Sequence, residues 1–309
     1  MDNTLGKLTS GGALNGHVAG AIDNGGGTIA GGDTVALDGD VFVNGTGGVV
    51  SGRAVAISGT RRIDNQDGVI QASDTARIDG GGAFHNRGGK LLGGDIALQA
   101  ADVDNRNGVL QAQGKLAVAS VGDLRNQDGS VYGGVADIRV AGVDNARGKM
   151  LADGELTLNA GGKIDNAGGT FAAEGAALLR AQEVANANGL IAANDLTLQA
   201  EGVLDNQSGR IDAGRELDLT AGALDNSGGR LASQGDARLQ VGDLRNVEGE
   251  LATAGSLALA TGTLRNDGKL HAGQDLRITA DVLTNGAAGN SLACAASTSP
   301  SAEIWPMPA

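Results

Sequence analysis

The stretch GVLDNQSGRIDAGRELDLTAGALDNSGGRLASQGD, residues 202–236, contains nearly the same sequence twice. Leu-Asp-Asn occurs at 204–206 and again at 224–226. A glycine follows each asparagine three residues later, at Gly209 and Gly229. A period of about twenty residues is typical of repeat architectures, in which each unit packs on the next.

The repeat extends over almost the whole chain. Asparagines that lie two residues after an apolar residue recur at steps of 19, 20 or 21 residues, and Asn3 opens the series. We predict that these asparagines have an architectural role, stacking as a ladder of carboxamides from unit to unit. The predicted ladder consists of Asn24, Asn44, Asn65, Asn86, Asn105, Asn126, Asn145, Asn166, Asn186, Asn206, Asn226, Asn246, Asn266 and Asn285.

Each unit contains three short runs in which apolar and polar residues alternate. The first run ends at the asparagine, the second begins two residues after the glycine, and the third is represented by LDLTA at 217–221. In the unit of Asn44, this pattern predicts Gly47 as the turn glycine and Val49 as the first apolar residue of the second run. Alternation with a period of two favours strands, and a glycine in every turn disfavours helix. The pattern of the leucine-rich repeat is not met.

Three strands in about twenty residues bury too little surface alone, so the units must stack. The predicted fold is all-β, a parallel β-helix of about 14 coils of 19–21 residues. The glycine after each asparagine is expected to take a positive φ. The β-helix is predicted to cover residues 1–285, and 286–309 is expected to be a disordered or out-of-register tail.

Composition and charge exclude several classes of protein. The chain has 54 Gly but only 1 Trp, 1 Tyr and 3 Phe, so the core must consist of aliphatic side chains. A hydrophobic content of 41% argues against disorder. The net charge is −13 and no basic patch is present, so no nucleic-acid partner is expected. Cys294 is the only cysteine, and no run of apolar residues is long enough to span a membrane.

The sequence offers no set of residues that resembles a catalytic or metal site. His17, His85 and His271 share no metal-ligand spacing, and His85 is expected to face solvent. GGDTVALDGD at 31–40 does not recur as a calcium-binding nonapeptide would. We therefore predict no catalytic residue, no metal and no cofactor.

The alternative from a different class is a polysaccharide-active β-helix enzyme. Such an enzyme needs loops that build a cleft and paired carboxylates within it. The coil length varies by only one residue around 20, which leaves no such loop. Asp102 and Asp104 are paired, but no cluster of Arg or Lys on a loop accompanies them. The sequence therefore favours a protein that is not an enzyme.

The unit LDN-x-x-G-x-I-x-A-x-x-x-L-x-L-x-A resembles the haemagglutinin repeats of filamentous-haemagglutinin-like exoproteins. These are large bacterial adhesins of two-partner secretion systems, and the related contact-dependent growth-inhibition exoproteins carry similar repeats. The resemblance covers residues 1–285 and implies a right-handed parallel β-helix. It also implies an extracellular shaft on the cell surface, serving adhesion or display of a distal domain. The alternative is the stalk of a growth-inhibition toxin.

The resemblance implies partners for the parent protein rather than for single residues. These are an outer-membrane transporter and a receptor or glycan on a host or neighbouring cell. The chain departs from the complete proteins because it shows no signal peptide, secretion domain, toxin module or RGD tripeptide. Met1 falls inside a repeat. Our hypothesis is that the chain is a fragment or a truncated reading frame of a longer array and ends in an unrelated tail.

Overall fold

The structure of the protein is a computed structural model that describes residues 1–286, 290–298 and 303–304. Within these residues, the secondary structure consists of strands, bridges, turns and bends, without a helix. The chain divides into two compact units, unit 1 at Met1–Asp153 and unit 2 at Gly154–Ala309. Each unit is built from coils of the predicted length.

Unit 1 contains eighteen strands, most of them three to six residues long. They are β1 Lys7–Ser10, β2 Leu14–His17, β3 Ala21–Asp23, β4 Thr28–Gly31, β5 Thr34–Val43, β6 Val49–Asp64, β7 Val69–Gly80, β8 Ala83–His85, β9 Lys90–Gly93, β10 Asp95–Ala100, β11 Asp102–Asp104, β12 Val109–Ala112, β13 Lys115–Ser120, β14 Leu124–Arg125, β15 Ser130–Gly133, β16 Val135–Val140, β17 Val143–Asp144 and β18 Lys149–Ala152.

The described strands of unit 2 include several that continue through a corner of the coil. They are β19 Leu156–Ala160, β20 Lys163–Asp165, β21 Thr170–Ala173, β22 Ala176–Ala181, β23 Glu183–Ala185, β24 Leu190–Ala193, β25 Asp195–Asp205, β26 Arg210–Ala213, β27 Leu217–Asp225, β28 Arg230–Ser233, β29 Ala237–Thr253, β30 Leu257–Asn285, β31 Asn290–Thr298 and β32 Glu303–Ile304.

Within each unit, every coil pairs in parallel with the equivalent strands of the next coil. Within residues 202–236, Leu204 pairs with Leu224 and Asp205 with Asp225. This register repeats the sequence period, because equivalent residues of successive coils become neighbours. The described chain makes about 13 turns of a parallel β-solenoid, which confirms the predicted fold class and comes close to the predicted 14 coils.

The core of each unit consists of columns of aliphatic side chains, one residue from each coil. The residue two positions before each ladder asparagine is buried from Ile22 to Leu264, with at most 4% of its surface exposed. Phe42, Phe84 and Phe171 are the largest buried side chains and are almost fully enclosed. Because aromatics are few, most of the buried apolar surface belongs to Val, Ile, Leu and Ala.

One inward-facing residue was predicted wrongly. In the coil after Asn44, Val50 is fully buried and Val49 is half-buried on the outer surface. The reason is an extra residue in the preceding turn, which shifts the second strand by one position. Since side chains alternate along a strand, a shift of one residue exchanges the inner and outer faces.

The predicted boundary at residue 285 stays a prediction. Within 286–309, the structure describes the strands Asn290–Thr298 and Glu303–Ile304, and both pair in parallel with Leu257–Asn285. Residues 287–289, 299–302 and 305–309 lie outside the described residues, and the predicted irregular tail falls partly on them.

Candidate functional site

The asparagine corner is the feature that recurs in every coil. Asn24 Nδ2 donates to the carbonyl oxygens of Gly27 at 3.2 Å and of Val49, in the next coil, at 3.1 Å. It also donates to Asn44 Oδ1 at 2.7 Å. Asn24 is completely buried. One carboxamide nitrogen therefore donates to a carbonyl group of its own turn, to a carbonyl group of the next coil and to the equivalent asparagine of that coil.

The same bond between carboxamides repeats at 2.7–2.8 Å within each unit. Each Nδ2 donates towards the next coil, so the amide dipoles point in one direction and strengthen one another. In unit 1 the bonded series is Asn3, Asn24, Asn44, Asn65, Asn86, Asn105, Asn126 and Asn145. In unit 2 it is Asn166, Asn186, Asn206, Asn226, Asn246, Asn266 and Asn285.

The chain turns at this corner through a β-turn closed by the glycine. Gly27 N donates to Asn24 O at 3.0 Å, and Gly68 N donates to Asn65 O at the same distance. Positive φ falls on the second residue after the asparagine, as the third position of a type II turn requires. These residues are Leu5, Gly26, Asp67, Gly88, Asn107, Asp128, Arg147, Gly168, Asn188, Ser208, Gly228 and Glu248. Thr46 also has a positive φ, but it is the second position of a turn that begins at Gly45.

The prediction that the glycine three residues after the asparagine takes a positive φ holds at Gly47 and is wrong in the other coils. Gly68 and its equivalents lie outside the left-handed region. Glycine is needed there for space: a Cβ at Gly68 would lie 2.8 Å from Asn65 Oδ1 and 2.9 Å from Asn44 Nδ2, and closer still to the Asn44 carbonyl oxygen. The closing glycine lets one coil approach the ladder of the coil before it.

The coil of Asn44 shows how the corner accepts an insertion. Asn44 Nδ2 donates to Gly48 O at 3.0 Å, and Gly48 N donates to Gly45 O at 3.0 Å. Gly48, rather than the predicted Gly47, therefore closes this turn. Gly47 and Thr46 both take positive φ here. The extra residue is absorbed in the turn, and the ladder bond from Asn44 to Asn65 is kept at 2.8 Å.

Thr46 is the most strained residue of the corner, because a β-branched side chain at φ 57 is a conformational outlier. We expect Thr46→Gly to raise the free energy of unfolding by about 1 kcal/mol, since glycine carries no penalty at positive φ. Urea denaturation followed by circular dichroism measures the change. The matched variant Thr220→Gly changes an exposed position in a strand. It should instead lower the free energy of unfolding by up to about 1 kcal/mol. A loss of stability in both variants would contradict the assignment of strain to Thr46.

Aspartate directly before the asparagine has a structural role that was not predicted. Asp23 Oδ1 accepts the Gly25 N–H at 2.9 Å, and Asp205 Oδ1 accepts the Gln207 N–H at 2.9 Å. This Asx turn fixes the chain just past the ladder. The signal was present, because aspartate recurs at this position more often than alternation alone requires. The same bond forms at Asp2, Asp64, Asp104, Asp144, Asp165 and Asp225.

Asp104 is the one buried carboxylate among the described residues, with 6% of its surface exposed. Arg106 Nη2 lies 2.6 Å and Arg87 Nη2 3.1 Å from its Oδ2. Asp102 pairs with Arg125 in the same way. The sequence predicted no cluster of Arg or Lys on a loop beside these acids, and it did not indicate these three arginines, which come from three different coils. Their charges neutralise the pair that the enzyme alternative would use.

Burial by itself would raise the pKa of Asp104, but hydrogen bonds from Arg106 and Arg87 hold it well below its usual range. A carboxylate with a lowered folded-state pKa stabilises the fold fully above its unfolded pKa of about 3.9. That contribution is lost as the pH falls through the folded-state pKa. The asparagine corner of this coil is therefore sensitive to acid.

Asp104→Asn is expected to lower the free energy of unfolding by about 1–3 kcal/mol at neutral pH, because two arginines lose their charged partner. Below about pH 4, the stability of the variant should change less with pH than that of the wild type. Urea denaturation across this range measures both effects. Asp123→Asn removes an exposed carboxylate without an ion pair to a described residue and should change stability by less than about 0.5 kcal/mol. An Asp104→Asn variant that is as stable as the wild type at neutral pH would contradict the prediction.

The histidines do not come together in the structure. His17 Nδ1 lies 2.6 Å from Asp38 Oδ2, and Ser58 Oγ donates to Asp38 Oδ1 at 2.7 Å. The hydrogen bonds from Ser58 and His17 lower the pKa of Asp38. His85 is half-buried on the outer surface. The part of the chain that the structure describes contains no cluster of three or more metal-ligating side chains, and no membrane-spanning helix was found there.

Stacked parallel coils with a buried column of hydrogen-bonded asparagines define a β-solenoid repeat protein. The chain belongs to the haemagglutinin repeat family. The model of this family matches residues 2–45, 34–88, 89–128, 133–200, 172–241, 191–260 and 249–293. Comparison with curated proteins and with solved structures gave no match. The resemblance noted from the repeat unit is thereby confirmed.

Proposed function

We propose that the chain is a structural shaft segment of a secreted bacterial surface adhesin and carries out no catalysis. The continuous series of carboxamide bonds in each unit is the observation that carries the proposal, since it ties every coil to the next one. Membership of the haemagglutinin repeat family supports it. The shaft holds a distal part of the parent protein away from the cell, on the extracellular side.

Two features favour a shaft over an enzyme. Over residues 1–285 the coils keep 19–21 residues, so no long loop forms the wall of a cleft in that range. Asp102 and Asp104 are engaged by Arg125, Arg106 and Arg87, and carboxylates held by arginine are poor general acids at neutral pH. The stalk of a growth-inhibition toxin needs the same mechanical properties, so the distal module of the parent decides between the two roles.

Force spectroscopy on the chain tests the shaft. Pulled at its ends, a shaft should unfold in steps that each release whole coils, about 70 Å of extended chain per coil. Unfolding at low force without steps of that size would count against the proposal. Incubation with plant and bacterial polysaccharides tests the absence of catalysis, and release of new reducing ends or unsaturated sugars would overturn it.

Binding of the labelled chain to cells and glycan arrays separates two kinds of shaft. Saturable binding supports a shaft that contacts the receptor or glycan itself. Absence of binding supports a spacer whose adhesion resides in the distal part of the parent. The outer-membrane transporter proposed as the partner for secretion acts on the parent protein and is tested there.

A further inference from the structure

One outer face of unit 1 contains no acidic residue. It consists of the outward-facing residues of the second strand of each coil, none of which is buried. Unit 1 contains 17 Asp and no Glu, and all 17 lie elsewhere. We call this surface the lysine face. Its two columns are Lys7, Thr28, Val49, Val69, Lys90, Val109, Ser130 and Lys149, and Thr9, Ala30, Ser51, Gln71, Leu92, Gln111, Tyr132 and Leu151.

The lysines of this face are uncompensated cations, as is Lys115 on another face of unit 1. Lys7, Lys90 and Lys149 are exposed, and none forms an ion pair with a described residue. The arginines of the unit behave differently, since every one of them lies within ion-pair distance of an aspartate. They are Arg53, Arg61, Arg62, Arg77, Arg87, Arg106, Arg125, Arg139 and Arg147.

Unit 2 carries the larger excess of acidic residues. It has 19 acidic and 10 basic residues, a net charge of −9, whereas unit 1 has 17 and 13, a net charge of −4. Glu155, Glu216 and Asp236 lie in one column at the start of the third strands, and none of them forms an ion pair with a described residue. We call these three residues the acidic column.

The two surfaces match in spacing. Lys90 and Lys149 are three coils apart, and so are Glu155 and Glu216. Both separations are about 14 Å, because parallel strands of all coils have the same spacing of about 4.8 Å. Lys7 and Lys90 are four coils apart, as are Glu155 and Asp236, but this match needs a different alignment of the two surfaces. Two lysines at a time therefore lie opposite two acids.

The acidic column also offers room for a long side chain. Glu216 and Asp236 line a groove of about 360 Å³, together with Asp218, Ser256 and one cation, Arg238. Two acids one coil apart repel each other unless a cation lies between them. A lysine has the charge and the reach to fill this position.

We propose that the lysine face of unit 1 binds the acidic column of unit 2 in a second copy of this chain. The contact is heterologous, because it joins two different surfaces, so association continues from copy to copy. Val49, Val69 and Val109 lie between the lysines and supply the apolar part of the contact.

The contact area sets the strength of the association. The lysine face spans about 34 Å by about 10 Å, from the spacing of its strands and the length of three residues. This is less than half the area that each partner contributes to a standard interface. Association is therefore weak, and it depends on salt because its ion pairs are exposed.

Sedimentation of the full chain tests this inference, and it needs no receptor, so its outcome is independent of the shaft proposal. The average mass should rise with protein concentration at about 0.02 M salt and return to that of the monomer at about 0.5 M. Lys90→Glu together with Lys149→Glu should weaken association at least about tenfold, and so should Glu155→Lys together with Glu216→Lys.

Two controls separate the contact from general charge effects. Lys115→Glu changes an exposed, unpaired lysine on another face of unit 1 and should leave association unchanged. A mixture of the two double variants should associate again, because their charges are complementary at both contacts. A monomer at every salt concentration, an equal effect of Lys115→Glu, or a mixture that stays monomeric would each overturn the proposal. Binding of a monomeric chain to vesicles of anionic lipid would assign the lysine face to a membrane surface instead.

Discussion

Replacing Asn206 with aspartate is expected to lower the free energy of unfolding of unit 2 by about 4 kcal/mol. Asn206 is completely buried, and its Nδ2 donates to Asn226 Oδ1 at 2.8 Å. The same nitrogen donates to the carbonyl oxygens of Gly209 at 3.4 Å and Arg230 at 3.3 Å. A carboxylate oxygen in its place faces three acceptors and has no proton to donate.

The pH dependence of this variant identifies the cause. Burial among acceptors raises the pKa of a carboxyl group, because only the protonated form donates a hydrogen bond. A group with a raised folded-state pKa is least harmful below its unfolded pKa of about 3.9, and the penalty grows as the pH rises above that value. The deficit of Asn206→Asp relative to wild type should therefore shrink in acid. Urea denaturation at several pH values measures it, and hydrogen exchange locates it in unit 2.

Gln207→Glu is the matched control for this prediction. It makes the same change from carboxamide to carboxylate one residue further on, where the side chain is exposed. We expect it to change stability by less than about 0.5 kcal/mol. Equal effects of the two variants, or an Asn206→Asp protein as stable as wild type at neutral pH, would show that the ladder does not hold the coils together.

The coil period and the inward-facing residues were predictable because both follow from backbone geometry. Side chains alternate along a strand, so Leu204 and Leu224 had to face the same side once their spacing of twenty residues was known. The same reasoning failed only where a residue is inserted, as before Val50. A single sequence does not show whether an extra residue lies in the turn or in the strand.

The positive φ of the corner left only a partial mark in the sequence. Glycine, asparagine and aspartate, which tolerate this conformation, supply eight of the thirteen residues that adopt it two positions after the asparagine. The other five are Leu5, Thr46, Arg147, Ser208 and Glu248, which share no side-chain property. Hydrogen bonds of the flanking asparagine and glycine hold the turn in the same shape in successive coils. The residue between them therefore takes a positive φ whatever its side chain. Glycine at the closing position was visible, but composition cannot distinguish a need for positive φ from a need for space.

The ion pairs across coils were missed for a different reason. Arg87 and Asp104 lie 17 residues apart in sequence, and Arg125 and Asp102 lie 23 apart. Each pair is diagonal between neighbouring coils, so it departs from the period of twenty residues that relates equivalent positions. Long arginine side chains reach such partners, and the repeat alone does not show which aspartate each arginine pairs with.

Gly68→Ala is expected to destabilise unit 1 by about 3 kcal/mol, because the added Cβ has no space. It would lie 2.8 Å from Asn65 Oδ1 and 2.9 Å from Asn44 Nδ2, and it would overlap the Asn44 carbonyl oxygen. These are backbone and buried ladder atoms, so neither can move aside without separating two coils. Since Asn44 and Asn65 are bonded at 2.8 Å, the ladder bond between them should weaken first.

Gly20→Ala separates this effect from the general consequence of removing a glycine. A Cβ at Gly20 meets no atom within 4 Å, and its φ lies outside the left-handed region. Alanine there restricts the unfolded chain and should be neutral or stabilise by up to about 1 kcal/mol. Hydrogen exchange of the amides of Asn65 and Gly68 should accelerate in Gly68→Ala alone. Similar stabilities of the two variants would mean that the coils do not need the close approach at the closing glycine.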